Sequence, residues 1–218
     1  IPDTAHVLER YLAGIVIRTY AQKDVEDLAA NAKIPVINAL TDDFHPCQAL
    51  TDVFTMLEYK GKTDGLKMAY LGDGSSNMAN SLMLACKLAG MEIAIAAPEE
   101  YKPREDILNM AFGNGHASWS TSVKEAMDGA DFVYTDVWVS MGFEEEAKER
   151  MKILAPYQLN MENLLLSGKD TKVLHCLPAH RGQEITDEVM DCKASIVFDQ
   201  AENRLHVQKA IMALLMGN

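Results

Sequence analysis

Basic residues are scarce in this chain. Twenty lysines and arginines stand against 32 aspartates and glutamates, a formal net charge of -12. Nucleic acid and anionic membranes demand clustered Lys and Arg, so neither is expected as a partner. A small anionic substrate stays open, because a few buried arginines can dominate a cleft. Cysteine is also sparse: Cys47, Cys86, Cys176 and Cys192 form no CxxC pair. Such spacing fits reduced thiols of a cytoplasmic protein better than a disulfide framework. No apolar run approaches the roughly 20 residues of a membrane span. Neither an initiator methionine nor a signal peptide opens the sequence; Ile1-Pro-Asp-Thr4 runs straight into a helical pattern and reads as the middle of a protein. Repeats and low-complexity segments are lacking as well.

What is there is an alternation. Across 218 residues, 48% of them hydrophobic, apolar runs take turns with amphipathic segments, the pattern of a parallel sheet with crossover helices in an α/β fold. Strands are predicted at Gly14–Tyr20, Ile34–Ala39, Lys67–Leu71, Glu92–Ala97, Ala117–Thr121, Phe132–Val137, Thr171–Leu174 and Ser195–Asp199. Helices are expected at Ala5–Leu12, Asp24–Ala32, Pro46–Tyr59, Met78–Leu88, Arg104–Phe112, Val123–Met127, Glu144–Leu154, Met161–Leu166 and Asp187–Met190, with a closing helix from near Glu202. Leu50, Val53, Phe54 and Leu57 recur at helical spacing, and Pro46 suits a first helical position with His45 as the cap. Gly61-Lys-Thr-Asp-Gly65 is the one turn-rich break. It divides the chain into residues 1–60, a second unit over 61–200 and a closing helix over 201–218.

Chemistry-bearing residues gather after strands. His175-Cys-Leu-Pro178 ends one buried run, where open α/β sheets place ligands outside the carboxyl ends of their strands. His45-Pro-Cys-Gln48 joins an imidazole and an amide to the free backbone N–H groups of a helix start. Asn77, Asp136 and Arg204 stand at three further positions of the same kind, and Arg18 near the end of the first strand. The plain alternatives are a packed thiol at Cys176, capping at His45, a solvated loop at Asp136 and surface ion pairs for the arginines. Gly72-x-Gly74-x-x-Asn77 lacks the third glycine of a dinucleotide fingerprint, so a nicotinamide cofactor is not expected, and a tight turn capped by Ser75 or Ser76 is. A zinc site from His45, Cys47, Cys176 and His180 lacks ligand spacing. No metal and no cofactor are predicted.

Four ordered motifs, His45-Pro-Cys-Gln48, Asp136-Val-Trp-Val-Ser-Met-Gly142, His175-Cys-Leu-Pro178 and Ala201-Glu-Asn-Arg204, resemble the successive signatures of the ornithine branch of the aspartate/ornithine carbamoyltransferase family. The resemblance runs from Asp3 to Gly217. It implies Rossmann-like, three-layer parallel-sheet domains, the first one incomplete: residues 1–60 as the end of a carbamoyl-phosphate domain, 61–200 as an ornithine domain, and a closing helix returning to the first. It further implies carbamoyl transfer from carbamoyl phosphate to the side-chain amine of L-ornithine, giving citrulline and phosphate without metal or cofactor, in a homotrimer or a multiple of trimers.

Carried onto this sequence, the resemblance assigns Arg18, His45 and Gln48 to carbamoyl phosphate, with Arg204 and the Cys176-Leu177 backbone at the carbamoyl end. Asn77, Asp136, Ser140 and Met141 would take ornithine, with Cys176 beside the reacting amine. Arg204, His45, Asp136 and Cys176 are the expected catalytic set. The family's Ser-x-Arg-Thr phosphate motif does not occur here, so these residues alone are expected to show no activity and to expose an apolar face. Putrescine or N-acetylornithine as acceptor, and a non-catalytic subunit of the same fold, are the competing expectations.

Overall fold

A computed structural model describes residues 1–112, 115–139 and 147–217. The chain opens with α1 (Pro2–Leu8), β1 (Ile15–Arg18), α2 (Gln22–Asn31) and β2 (Val36–Leu40). β1 and β2 pair in parallel, Ile15 against Val36, with a register slip that brings Arg18 opposite Leu40. Next comes α3 (Pro46–Lys60), whose Pro46 occupies the first turn, where a missing N–H costs nothing. Gly61 ends α3 at φ 70°, a left-handed conformation that glycine adopts without steric cost.

Beyond that glycine the chain builds a second, larger sheet from β3 (Lys67–Leu71), α4 (Asn77–Leu88), β4 (Glu92–Ala96), α5 (Glu105–Phe112), β5 (Ala117–Ser120), α6 (Val123–Met127), β6 (Phe132–Thr135), α7 (Ala147–Leu154), α8 (Met161–Leu165) and β7 (Lys172–His175). All pairings are parallel and the order is β5-β4-β3-β6-β7. Successive strand residues alternate between two cores. Met68 and Tyr70 pack with Leu82 and Met83 of α4, while Ala69 and Leu71 pack with Val133, Val173 and Val189. A strand buried on both faces reads as a continuous apolar run for this reason. The chain steps outward from β3 to β5 and then returns to β6 on the other flank of β3. A switch point therefore lies between β3 and β6, where the crevice of an α/β sheet opens.

A short helix, α9 (Asp187–Met190), and a long one, α10 (Val197–Met216), close the chain. Here one expectation fails. Ser195–Asp199 is not a strand: Ser195 makes a single bridge to Val173, and Val197 already begins a helix of 20 residues. The β-branched Ile196 and Val197 suggested a strand, but Ile196 is the buried N-cap and Val197 shares the buried face of the helix with Gln200 and Asn203. Buried polar residues hid the helical period. Those residues meet α3, where Gln200 Nε2 donates to Asp52 at 2.6 Å and Asn203 Nδ2 to Thr55 at 3.1 Å and Glu58 at 2.6 Å. The same contact places Arg204 in the second turn of α10 rather than at its start. α1 is shifted toward the N-terminus, ending at Leu8. No helix among the described residues is long and apolar enough to cross a membrane.

Candidate active site

Register decides which side chains meet. Thr135 lies opposite Leu71 on one side and His175 on the other, so β3, β6 and β7 end level. The next residues, Asp136 and Cys176, are therefore neighbours across two strand ends. Cys176 Sγ donates to Asp136 Oδ1 at 2.9 Å, and the Val137 N–H donates to the same oxygen at 2.7 Å. Burial pushes the Asp136 carboxyl above its usual range. Burial, with the Asp136 charge beside it, pushes the Cys176 thiol well above its own. Cys176 is thus a protonated donor at neutral pH, without the thiolate that a nucleophile or metal ligand needs. The carboxylate it orients is a stronger base than an exposed aspartate.

The next residue, Leu177, adopts φ 56°, and no other described non-glycine residue has a positive φ. That backbone costs an L-residue roughly 1–2 kcal/mol. It is held by a hydrogen bond from the Leu177 N–H to His175 Nδ1 at 2.8 Å, while Gln200 Oε1 accepts the His175 N–H at 2.9 Å.

A second cluster forms where α3 begins. Gln48 is fully buried; its Nε2 donates to Asp52 at 2.8 Å, which leaves Oε1 to accept Arg204 Nη1 at 2.7 Å. Turning the Gln208 amide lets its oxygen accept from Arg204 Nε at 3.1 Å and Nη2 at 2.9 Å. His45 caps the helix by position only: its side chain makes no capping bond, and its backbone N–H donates to Ser81 at 2.7 Å. The imidazole is buried, with Nδ1 unpartnered. Burial first, then the charges of Arg204 and Arg18, press the His45 pKa down to about 4. At neutral pH it is an uncharged imidazole that feels the charge of two guanidinium groups. Arg18 itself is exposed at the end of β1.

Asp52 joins the two clusters. It is fully enclosed, and one of its oxygens takes both Gln48 and Gln200, so a single carboxylate fixes Arg204's partner and the His175 backbone. Burial raises its pKa to about 7. Asn77 stands in the first turn of α4 with its Nδ2 on the Thr41 carbonyl at 2.8 Å, tying the switch-point loop to the segment before α3. Ser76 is the cap, accepting from the Ala79 N–H at 3.1 Å. Gly74 is needed for close approach: a Cβ there would stand 2.9 Å from Pro103 Cδ and 3.0 Å from the Tyr101 carbonyl. Packing at Gly74 and a φ of 132° at Gly72, rather than a pyrophosphate, therefore account for the pair. Ser140 and Met141 lie outside the described residues.

Asp136, His175 and Cys176 offer three donor atoms within 4.8 Å of one another. As a metal site they fit poorly. The Leu177 N–H occupies one His175 nitrogen, the Glu184 carboxylate faces the other at 3.2 Å, and the thiol is protonated. The four residues weighed above for zinc do not form a group of this kind among the described residues.

Comparison with known proteins shows the family to which this crevice belongs. The family model described as the Asp/Orn binding domain of aspartate/ornithine carbamoyltransferase matches residues 64–215, and the one described as its carbamoyl-P binding domain matches residues 1–58. The chain belongs to the aspartate/ornithine carbamoyltransferase family. Within that family, the ornithine carbamoyltransferase of Renibacterium salmoninarum is 53% identical over 99% of this chain and 71% of its own length. The anabolic ornithine carbamoyltransferase of Pyrococcus furiosus is 50% identical over 100% of this chain and 70% of its own. Among solved structures, ornithine carbamoyltransferase from Pyrococcus furiosus superposes with a TM-score of 0.95 at 49% identity, covering 100% of this chain and 71% of that one. The enzyme from Thermus thermophilus gives 0.89 at 42%, covering 99% and 70%.

Sequence reasoning for this carbamoyltransferase-family chain missed Asp52, Gln200 and the buried pair of Asp73 and Arg150. Arg150 bonds to Asp73, donates from Nε to the Trp138 carbonyl at 2.8 Å and lies over the Tyr101 ring, 4.4 Å from its centroid. The one available signal was polar residues at core positions of apolar helices: Asp52 falls on the buried stripe of α3, and Gln200 on that of α10.

Proposed function

We propose that this protein transfers the carbamoyl group of carbamoyl phosphate to the side-chain amine of L-ornithine, releasing L-citrulline and phosphate. The observation that carries the reading is the Asp136–Cys176 pair at the switch-point crevice, in a chain matched by both a carbamoyl-phosphate and an amino-acid binding domain. Residues 1–60 belong to the carbamoyl-phosphate half and 61–200 to the ornithine half; the closing helix counted from 201 starts a turn earlier, at Val197.

In this reading Arg18, His45, Gln48, Arg204 and the Cys176-Leu177 backbone take carbamoyl phosphate. Asn77, Asp136, Ser140 and Met141 take ornithine. The amine must lose a proton before it attacks, although a free alkyl ammonium has a pKa near 10.4, about that of lysine. Asp136, raised by burial and held by the Cys176 thiol, accepts that proton. The nitrogen then adds to the carbamoyl carbon, and charge grows on the carbonyl oxygen. Arg204 stabilises that oxygen as a cation and His45 as a neutral donor. Collapse breaks the bond to the phosphate oxygen and frees phosphate. No residue is required as a covalent nucleophile.

The same reading places the protein in the cytoplasm, in arginine biosynthesis, as a homotrimer or a multiple of trimers. A citrulline assay on the intact protein tests the reaction, with putrescine and N-acetylornithine as rival acceptors and gel filtration with light scattering for the assembly. Citrulline from ornithine, with little product from either rival, is the expected result. Preference for a rival would change the acceptor, and inactivity toward all three would leave a non-catalytic subunit.

A further inference from the structure

Glu184 follows the His175-Cys-Leu-Pro178 motif by a few residues and is wholly enclosed by the fold. Among the described residues no lysine or arginine pairs with it. Its Oε1 faces His175 Nε2 at 3.2 Å and accepts the His180 backbone N–H. Its Oε2, also buried, meets no donor, and His180 Nδ1 stands 4.0 Å from it. A buried carboxylate without a full set of donors is costly, so the contacts it does keep need a reason.

His175 supplies the reason. Its ring is as enclosed as Glu184, and its other nitrogen, Nδ1, takes the Leu177 N–H at 2.8 Å. A backbone N–H can only donate, so Nδ1 carries no proton, and a neutral imidazole must then hold its proton on Nε2. Glu184 is the acceptor at that nitrogen. With the opposite tautomer, two N–H groups would meet at Nδ1 and a bare nitrogen would face the carboxylate. Leu177, whose φ of 56° needs an external hold, would lose it.

We infer that Glu184 is a positioning residue for carbamoyl transfer: it fixes His175 as the Nε2–H tautomer and so fixes the Leu177 backbone that forms one wall of the site. The role rests on the function proposed above. Glu184 touches neither reacting group in that scheme; it acts through His175 and the peptide of Leu177. Gln200 holds the His175 backbone N–H, so the ring itself is held by the Leu177 N–H at Nδ1 and by Glu184 at Nε2.

Two variants of the intact enzyme separate this role from simple packing. Glu184→Gln keeps an oxygen that can accept from Nε2, whereas Glu184→Met fills similar space without an acceptor. The methionine variant is expected to lower kcat by at least about tenfold, one hydrogen bond's worth at the transition state, with the ornithine KM within about threefold. The glutamine variant should stay within about threefold of the parent in kcat, because tautomer selection needs an acceptor rather than a charge. Nitrogen-15 spectra of labelled imidazole should show His175 as the Nε2–H form in the parent and glutamine proteins. A parent spectrum of the Nδ1–H form overturns the proposal, as does a glutamine variant as impaired as the methionine one. So does a folded methionine variant with parental kcat. If the methionine variant does not fold, the parent spectrum and the glutamine variant decide. A parent enzyme that forms no citrulline overturns the proposed reaction and this role with it, and the spectrum still reports separately on the tautomer.

Discussion

Cys176 donates its thiol proton to Asp136 across the ends of two adjacent strands, 2.9 Å from sulfur to oxygen. The bond exists because Thr135 and His175 are opposite each other in register, and it sets the chemistry of both partners. The thiol is held protonated and aims the carboxylate; burial, working against the lowering effect of the thiol's hydrogen bond, makes that carboxylate more basic than an exposed one.

Asp136→Asn is expected to lower kcat by about 10²–10⁴, the usual range for a lost general base. Cys176→Ser keeps a donor to that carboxylate and should stay within about tenfold of the parent, some 1.4 kcal/mol in barrier. Steady-state rates of citrulline formation check both. Complete loss in the serine variant beside a milder loss in the asparagine variant would make the sulfur a reacting atom.

Arg204→Ala removes the cation fixed by Gln48. A turnover at least a hundredfold lower is expected, since one such donor is worth about 2.7–4 kcal/mol at a developing oxyanion. Near-parental turnover in a folded variant would take Arg204 out of the site.

Asp52 makes stability depend on pH. Its pKa is about 7 in the fold against an ordinary 3.8, so the folded state binds the proton more tightly than the unfolded one. The contribution is full below about pH 4 and is lost as pH rises through 7, a fall of roughly 4 kcal/mol at 1.36 kcal/mol per unit. Urea titrations from pH 4 to 8 should show this slope in the parent and a flattened one in Asp52→Asn. An unchanged slope would mean that Asp52 does not titrate in that window.

Arg150→Ala leaves Asp73 as an unpaired buried charge and should cost about 3–5 kcal/mol in urea denaturation. Adding Asp73→Asn should recover part of that loss. If the double variant is no more stable than the single, the damage comes from lost packing over Tyr101 rather than from charge.

The sequence by itself determined the architecture and most of the cast. Alternating apolar runs and amphipathic stretches dictate parallel strands with crossover helices, and polar residues at strand ends can only face the carboxyl edge of the sheet. Asp136, Cys176 and His45 were legible on that ground, because strand ends and helix starts are local events; Arg204 was not, since the strand expected before it is replaced by the first turn of α10. Ser195–Asp199 misled for the converse reason: its β-branched apolar residues favour a strand locally, and only the buried partners Asp52 and Thr55 make Gln200 and Asn203 a helical face. Tertiary structure alone decided which residues share a hydrogen bond. Strand register set Cys176 against Asp136, and the crossing of α10 over α3 set Arg204 against Gln48 and made Asp52 their common anchor. These contacts join residues far apart in the chain, and their geometry follows from how sheets align and helices pack, which no local pattern of residues encodes.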